Sequence, residues 1–236
     1  LGIEYVRALH HFHSKITPHA LPRVGALHGD MKTDGQYASA TKIRQMIWNN
    51  EDITRFVPSH TSTYFTTNDA FILEADDFSM LLQDRLYLSD NYEWAMDCSE
   101  DFSNKIRNSR DLFITYTKYA NALKSKDMDL SRIQRILTQI MLNMGKSYRE
   151  ELHKADYQTY LHLLGFSEQG SQFLGKIKKD SILPMFTSPQ DAKGYITTKE
   201  QQDLYALDLH AANIYRTIAT QKYHRTFPTE YTRKFT

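Results

Sequence analysis

The clearest rhythm in the chain lies at 131–144. There Ile133, Ile136, Leu137, Ile140, Met141 and Met144 recur at three- and four-residue spacing, with polar residues between them. That period predicts an amphipathic helix with one buried stripe, capped by Asp129 or Ser131. A looser version of the same period predicts a helix over 1–15, with Ile3, Val6 and Leu9 in step. It predicts another over 40–50, with Ile43, Met46 and Ile47 as its apolar face and Ser39 as its N-cap. Further helices are expected over 69–88, in "SEDFSNKIRNS" and in "RDLFITYTKYANALKSK". The last long helix is expected over 198–220, with Leu204, Leu207, Ala211, Ile214 and Ile218 on its apolar face and Thr197 and Glu200 at capping-box spacing.

Short apolar runs bounded by turn residues predict strands in "RVGAL" (23–27), "YLHLLGF" (160–166) and "ILPMFT" (182–187). The last two flank a helical segment, "SEQGSQFLGKIKK", capped by Ser167, and this strand–helix–strand order suits a parallel pair. "ITPHALP" and "HGDMKTDGQ" read as loops, and "VPSHTSTYFTTND" reads as a linker. The chain is thereby divided into 1–57, the tail of an α/β layer domain, and 58–236, a mainly helical domain carrying the small strand–helix–strand unit.

Composition narrows the class. The 236 residues are 41% hydrophobic and 24% charged, with only nine Gly and six Pro, which excludes long disorder. A net charge of +1 excludes a global pull toward polyanions, so any nucleic-acid surface is a local patch. The single cysteine, Cys98, permits no internal disulfide and suits a reducing compartment, the cytoplasm by default. An inert, partly buried thiol is its simpler reading. No apolar run reaches membrane-span length and no signal peptide is visible. The opening "LGIEYVRALHHFHSK" starts without Met and inside a helical pattern, which reads as a fragment of a longer protein.

Candidate chemistry centres on "YASATKIRQMI". A helix start has unpaired N–H groups and the positive end of its dipole, and so attracts phosphate. Ser39 and Thr41 add hydroxyls there, and Arg44 adds a permanently charged fork. The plainer reading is a capped helix with a solvated arginine. The preceding "PRVGALHGD" favours the site, because ligands of open α/β sheets bind where strands end and helices begin; it brings in Arg23 and His28. A second candidate is a basic face on the 131–144 helix, Arg132 and Arg135 extended by Gln139, with Lys118, Lys124 and Lys126 upstream. It is either a solvated face or an RNA contact. The basic run "KIKKD" (176–180) is read as satisfying its own helix end. His10, His11, His13 and His19 lack companion ligands at metal-site spacing, so no metal site is assigned.

"SATKIR" after a strand resembles the C-terminal phosphate-binding signature of the nucleotidyltransferase superfamily; the superfamily's N-terminal "H-x-G-H" signature has no counterpart here. The order of "LGIEYVRAL", "PRVGALHGD", "SATKIR", "SRIQRIL", "YLHLLGFSEQGSQFL" and "DLHAANIY", spread over nearly the whole chain, resembles the bacterial tRNA(Met) cytidine acetate ligases. The resemblance implies that 1–57 is the C-terminal part of a Rossmann-like nucleotidyltransferase domain lacking its N-terminal portion, and that 58–236 binds tRNA. It implies ATP, with Mg2+, and acetate as substrates, acetyl-adenylate as intermediate, and N4 of the wobble cytidine of elongator tRNA(Met) as acceptor. Arg23, His28, Ser39 and Thr41 would hold ATP, Arg44 would act at the phosphates, and Arg132 and Arg135 would meet RNA. The missing N-terminal segment would be a partner, without which this chain is expected to be inactive. Where relatives carry a basic and aromatic run before "SRI", this chain has "KSKDMD". Two other readings stay open at this point: a tRNA-binding module without catalysis, and a small-molecule nucleotidyltransferase.

Overall fold

The computed structural model describes residues 2–22, 24–25, 35, 37–66, 71–157 and 159–232. The chain divides into two units, Leu1–Phe71 and Ile72–Thr236.

In the first unit, α1 (Gly2–His11) stops short of its expected end. His13 turns left-handed (φ 48°), and the Ser14 N–H closes on the Leu9 carbonyl at 2.9 Å. This closure uses up an orphan carbonyl of the last turn. Helix α2 (Ala40–Trp48) begins at an extended Ser39 whose Oγ accepts the Lys42 N–H at 3.0 Å. It ends the same way as α1, with Asn50 at φ 55° and the Glu51 N–H on the Met46 carbonyl at 2.8 Å. The expected linker contains α3 (Ser59–Thr66). Pro58 starts it, and the Ser62 and Thr63 hydroxyls donate back to the Ser59 carbonyl at 2.8 and 2.9 Å. Its hydroxyl-rich sequence therefore bonds within the helix instead of breaking it.

The strand expected over 23–27 is not seen in its described part. Val24 is 67% exposed outside any strand, and Gly25 sits at φ 79°. Arg23, Ala26 and Leu27 lie outside the described residues. Among the described residues of this unit, only Ser39, Met46, Ile53 and Ser62 are buried. Helix α1 buries no side chain: Ile3, Tyr5, Val6 and Phe12 stand exposed along a groove of about 960 Å³.

The second unit is built around helices α4 (Ser79–Tyr87), α5 (Glu100–Ser109), α6 (Tyr116–Ala122) and α7 (Leu130–Leu142). The run expected as one helix over 69–88 is helical only from a 3₁₀ turn at Ala75–Phe78 onward. Its acids act as caps instead of helix surface. Asp77 accepts the Glu74 N–H at 2.7 Å, and Asp76 accepts the Thr117 N–H at 2.7 Å in the first turn of α6. The segment before the turn is held to the far end of the chain, where the Tyr223 hydroxyl bonds both the N–H and the carbonyl of Ile72.

Helix α7 meets its expectation: Asp129 caps it by accepting the Arg132 N–H at 2.7 Å. Ile133, Ile136, Leu137, Ile140 and Met141 are buried against Leu82, Leu86, Ile106 and Leu123, while Met144 is half-buried. Three buried tyrosines finish this core, and each hydroxyl finds a backbone carbonyl: Tyr92 at Leu86, Tyr119 at Ile106 and Tyr116 at Gln134. Their rings add apolar area without leaving a polar atom unpaired.

A smaller cluster follows. After α8 (Lys146–Lys154), β1 (Leu161–His162) pairs in parallel with β2 (Met185–Phe186), Leu161 opposite Met185. This is the expected parallel pair, two residues long in each strand. The helix between is broken into α9 (Glu168–Ser171), capped by Ser167, and α10 (Leu174–Asp180). The Phe173 N–H bonds Gly170 three residues back, tightening the chain at the break. Helices α11 (Pro189–Tyr195) and α12 (Lys199–Tyr223) cover the pair with Ala192, Ile196 and Tyr205 around Phe186. The capping box of α12 is Thr198 with Gln201, one residue later than the expected Thr197 and Glu200. Consequently Gln201, Tyr205 and Ala219 are its buried positions, and Leu204, Leu207, Ala211, Ile214 and Ile218 are half-buried. Among the described residues no helix is long and apolar enough to cross a membrane.

Truncating the α7 stripe tests this account of the core. Leu137→Ala, at 0% exposure, is expected to destabilise by about 3 kcal/mol, read as a lower urea midpoint by circular dichroism. The exposed Met80→Ala, at 84% exposure, is expected to leave the midpoint within about 0.5 kcal/mol.

Candidate functional site

The start of α2 gathers three of the residues singled out in the sequence. Ser39 is 1% exposed, and its Oγ is engaged with the Lys42 N–H. It therefore shapes the helix start more than it faces solvent. Thr41 is half-buried and Arg44 exposed one turn further, with Arg44 Nη2 3.5 Å from Thr41 Oγ1. No acidic residue lies in the first turn of α2, and no carboxylate among the described residues forms an ion pair with Arg44. Lys42, by contrast, pairs with Glu51 at 3.7 Å. The helix start thus presents N–H groups, a hydroxyl and an accessible guanidinium on one side, an arrangement suited to an anion. Arg23 and His28 lie outside the described residues. A residue the sequence reading missed, Arg55, donates from Nη2 to the Gly35 carbonyl at 2.8 Å and so ties down the chain just before α2. No local motif marks a contact twenty residues apart.

The basic face of α7 is partly realised. Arg132 Nη2 donates to the Asp97 carbonyl at 3.0 Å, and Arg135 Nη2 lies 3.9 Å from the Asp97 carboxylate. Asp97 stands at φ 61°, in the left-handed region that Asp tolerates better than most residues. Both guanidinium groups keep further donors for a ligand, since each has five N–H groups in all. Gln139 does not extend this face: it is 9% exposed and packs with the buried stripe.

Cys98 is 3% exposed in the main core, and burial pushes its thiol up to about 11. It is a packing residue held neutral at physiological pH. Tyr116 and Tyr119 are likewise core residues, at 5% and 2% exposure. Among the described residues no three His, Cys, Asp or Glu side chains stand where they could hold a metal ion.

A helical protein with a cationic helix start and a basic face is consistent with many nucleotide- and RNA-handling enzymes. The match to known sequences is more specific: the chain belongs to the HIGH nucleotidyl transferase family, which matches residues 1–230. Within that family it is similar to tRNA(Met) cytidine acetate ligases. It is 32% identical over 196 residues to that of Thermosipho africanus, a stretch covering 80% of this chain and 46% of the relative. It is 32% identical over 221 residues to that of Caldanaerobacter subterraneus, covering 91% and 53%. The chain spans about half the length of the curated relatives it matches. Its fold is that of Thermotoga maritima TmcAL in the apo form, with a TM-score of 0.81 at 21% identity over 92% of this chain and 55% of that one. A second structure of the same protein, bound with alpha-thio ATP, aligns with a TM-score of 0.76.

Two measurements test these local assignments. Ser39→Ala is expected to cost about 1 kcal/mol, seen as about fivefold faster amide exchange across the first turn of α2. Cys98 is expected to react with iodoacetamide far more slowly in the folded chain at pH 8 than in urea. Equal rates in the two states would place the thiol outside the core.

Proposed function

We propose that this chain serves as the C-terminal portion of an ATP-dependent ligase that acetylates N4 of the wobble cytidine in elongator tRNA(Met). The observation that carries the proposal is the accessible Arg44 beside Thr41 at the mouth of α2, with no carboxylate partner among the described residues, in a chain whose family is nucleotidyl transferases. The names of the relatives support the substrate, and the alpha-thio ATP bound to Thermotoga maritima TmcAL supports the nucleotide.

In the first step an acetate oxygen attacks the α-phosphorus of ATP, forming acetyl-adenylate and releasing pyrophosphate. In the second, N4 of the cytidine attacks the acetyl carbonyl. AMP leaves and the amine gives up a proton. The first step makes little demand on proton transfer and a large one on charge stabilisation. Arg44 is assigned to the phosphate oxygens, where its fork can hold two at once. Thr41 and the first N–H groups of α2 add donors, and Ser39 keeps that turn in place. Arg23 and His28 are assigned to the nucleotide on the strength of the motif alone. Mg2+ is assigned to ATP's own phosphates and water, the usual way this ion is carried. Residues 58–236 are assigned to tRNA, with Arg132 and Arg135 as phosphate contacts. The segment of the relatives that this chain does not span would complete the ATP site.

The full-length natural protein is expected to transfer labelled acetate to tRNA(Met) in the presence of ATP, and no transfer would overturn the proposal. In the same protein Arg44→Ala is expected to slow ATP–pyrophosphate exchange by at least about 100-fold without lowering the thermal midpoint. An unchanged exchange rate would remove Arg44 from the reaction.

A further inference from the structure

Helix α8 carries a basic row that sequence periodicity did not single out. Lys146, Arg149 and His153 stand at i, i+3 and i+7, so they share one side of the helix over about 10 Å, and Lys154 follows directly. All four are exposed, and they line an open groove of about 630 Å³ together with Glu150 and Asp97. Asp97 is the residue that holds Arg132 and Arg135 of α7, one through its carbonyl and the other through its carboxylate. Asp97 therefore adjoins both the row on α8 and the arginines on α7, which reach the groove at Asp97 without lining it. Together the row and the arginines carry five cations (Lys146, Arg149, Lys154, Arg132 and Arg135) against three carboxylates (Asp97, Glu150 and Asp129, which lies close enough to Arg135 to feel its charge), a net +2, while the whole chain carries +1. Asp97, one of the three, is already engaged by Arg135.

The groove is held in shape by backbone. The Lys146 N–H donates to the Trp94 carbonyl at 2.8 Å, and Ala95 bridges Gly145. Gly145 comes so close that a Cβ there would lie 3.2 Å from the Trp94 carbonyl oxygen. On the other side the Tyr148 hydroxyl donates to the Asp203 carbonyl of α12 at 2.8 Å.

We infer that this groove is a track for an RNA phosphodiester backbone, running from Arg132 and Arg135 along Lys146, Arg149 and Lys154. Cations set in a row along an open channel suit successive phosphates, whereas a single small anion would call for convergent donors. The inference rests on the proposed function for its choice of RNA, and it places the contact on a helix to which that reading assigned none.

The test is binding of an unmodified elongator tRNA(Met) transcript to the full-length protein across a salt series. Each lost phosphate contact lowers the slope of log K against log[salt] by about 0.7–0.9. The triple variant Lys146→Gln/Arg149→Gln/Lys154→Gln is expected to lower it by about 2 and to weaken binding at least tenfold, with an unchanged thermal midpoint. Arg149→Gln alone is expected to lower it by about 1, which keeps the test open should the triple variant misfold. Removing the same charge from α10, by Lys176→Gln/Lys178→Gln/Lys179→Gln, is expected to leave slope and affinity as they are. A wild-type slope in the α8 variants, or an equal loss in the α10 variant, overturns the track and leaves the proposed function standing. Absence of tRNA binding by the unaltered protein overturns both.

Discussion

The second unit depends on burying one stripe of α7. Ile133, Ile136, Leu137 and Ile140 are at most 2% exposed, and the helices around them are short. Helices α4, α5 and α6 are each seven to ten residues long, too short to be stable alone in water. Their persistence comes from apolar area shared with α7. The polar edge of this core is then finished by tyrosine hydroxyls set on carbonyls at or near helix ends, as Tyr119 is on Ile106 and Tyr92 on Leu86. The same burial that fixes the stripe also fixes what lies on the other side of α7: Arg132 and Arg135 reach the Asp97 turn because the helix cannot rotate without exposing its isoleucines.

Helix termini are the second organising device. Seven starts are written with Ser, Thr or Asp: Ser39, Ser99, Thr115, Asp129, Ser167, Ser188 and Thr198 each accept a backbone N–H in the first turn. Ends are written without glycine. His13, Asn50, Asn143 and His224 take the left-handed conformation at helix ends, a role in which glycine is the usual signal. Their side chains tolerate that region better than most, but they also occur freely inside helices. For that reason the capped starts of α2 and α7 were readable from the sequence, while the ends of α1 and α2 were overrun.

The chemistry divides along the same line. The anion site proposed at α2 rests on a local motif whose parts are one turn apart, in a chain of the nucleotidyl transferase family. Surface charge on the second unit is different in kind. It is assembled from α7, α8 and the turn at Asp97, and pairing with Asp97 sets how much of it remains available. Spreading cations over two helices gives a chain of near-zero net charge a surface that a polyanion can find.

By itself the sequence determined where α7 lies and which side of it is buried, the cap that starts α2, the parallel pairing of the two short strands and the family kinship. The structural readings rest on spacing within about twenty-five residues, where period and capping chemistry act directly; the kinship rests on the order of short motifs along nearly the whole chain. Tertiary structure alone decided that Glu74, Asp76 and Asp77 cap instead of continuing a helix, that "VPSHTSTYFTTND" contains α3, that Gln139 faces inward and that α12 buries Tyr205. It also decided that Arg55 steadies the approach to α2 and that Lys146 and Arg149 join Arg135 around one aspartate. Each of those depends on a partner distant in sequence or on the small rotation of a helix that packing selects, and neither leaves a periodic trace along the chain.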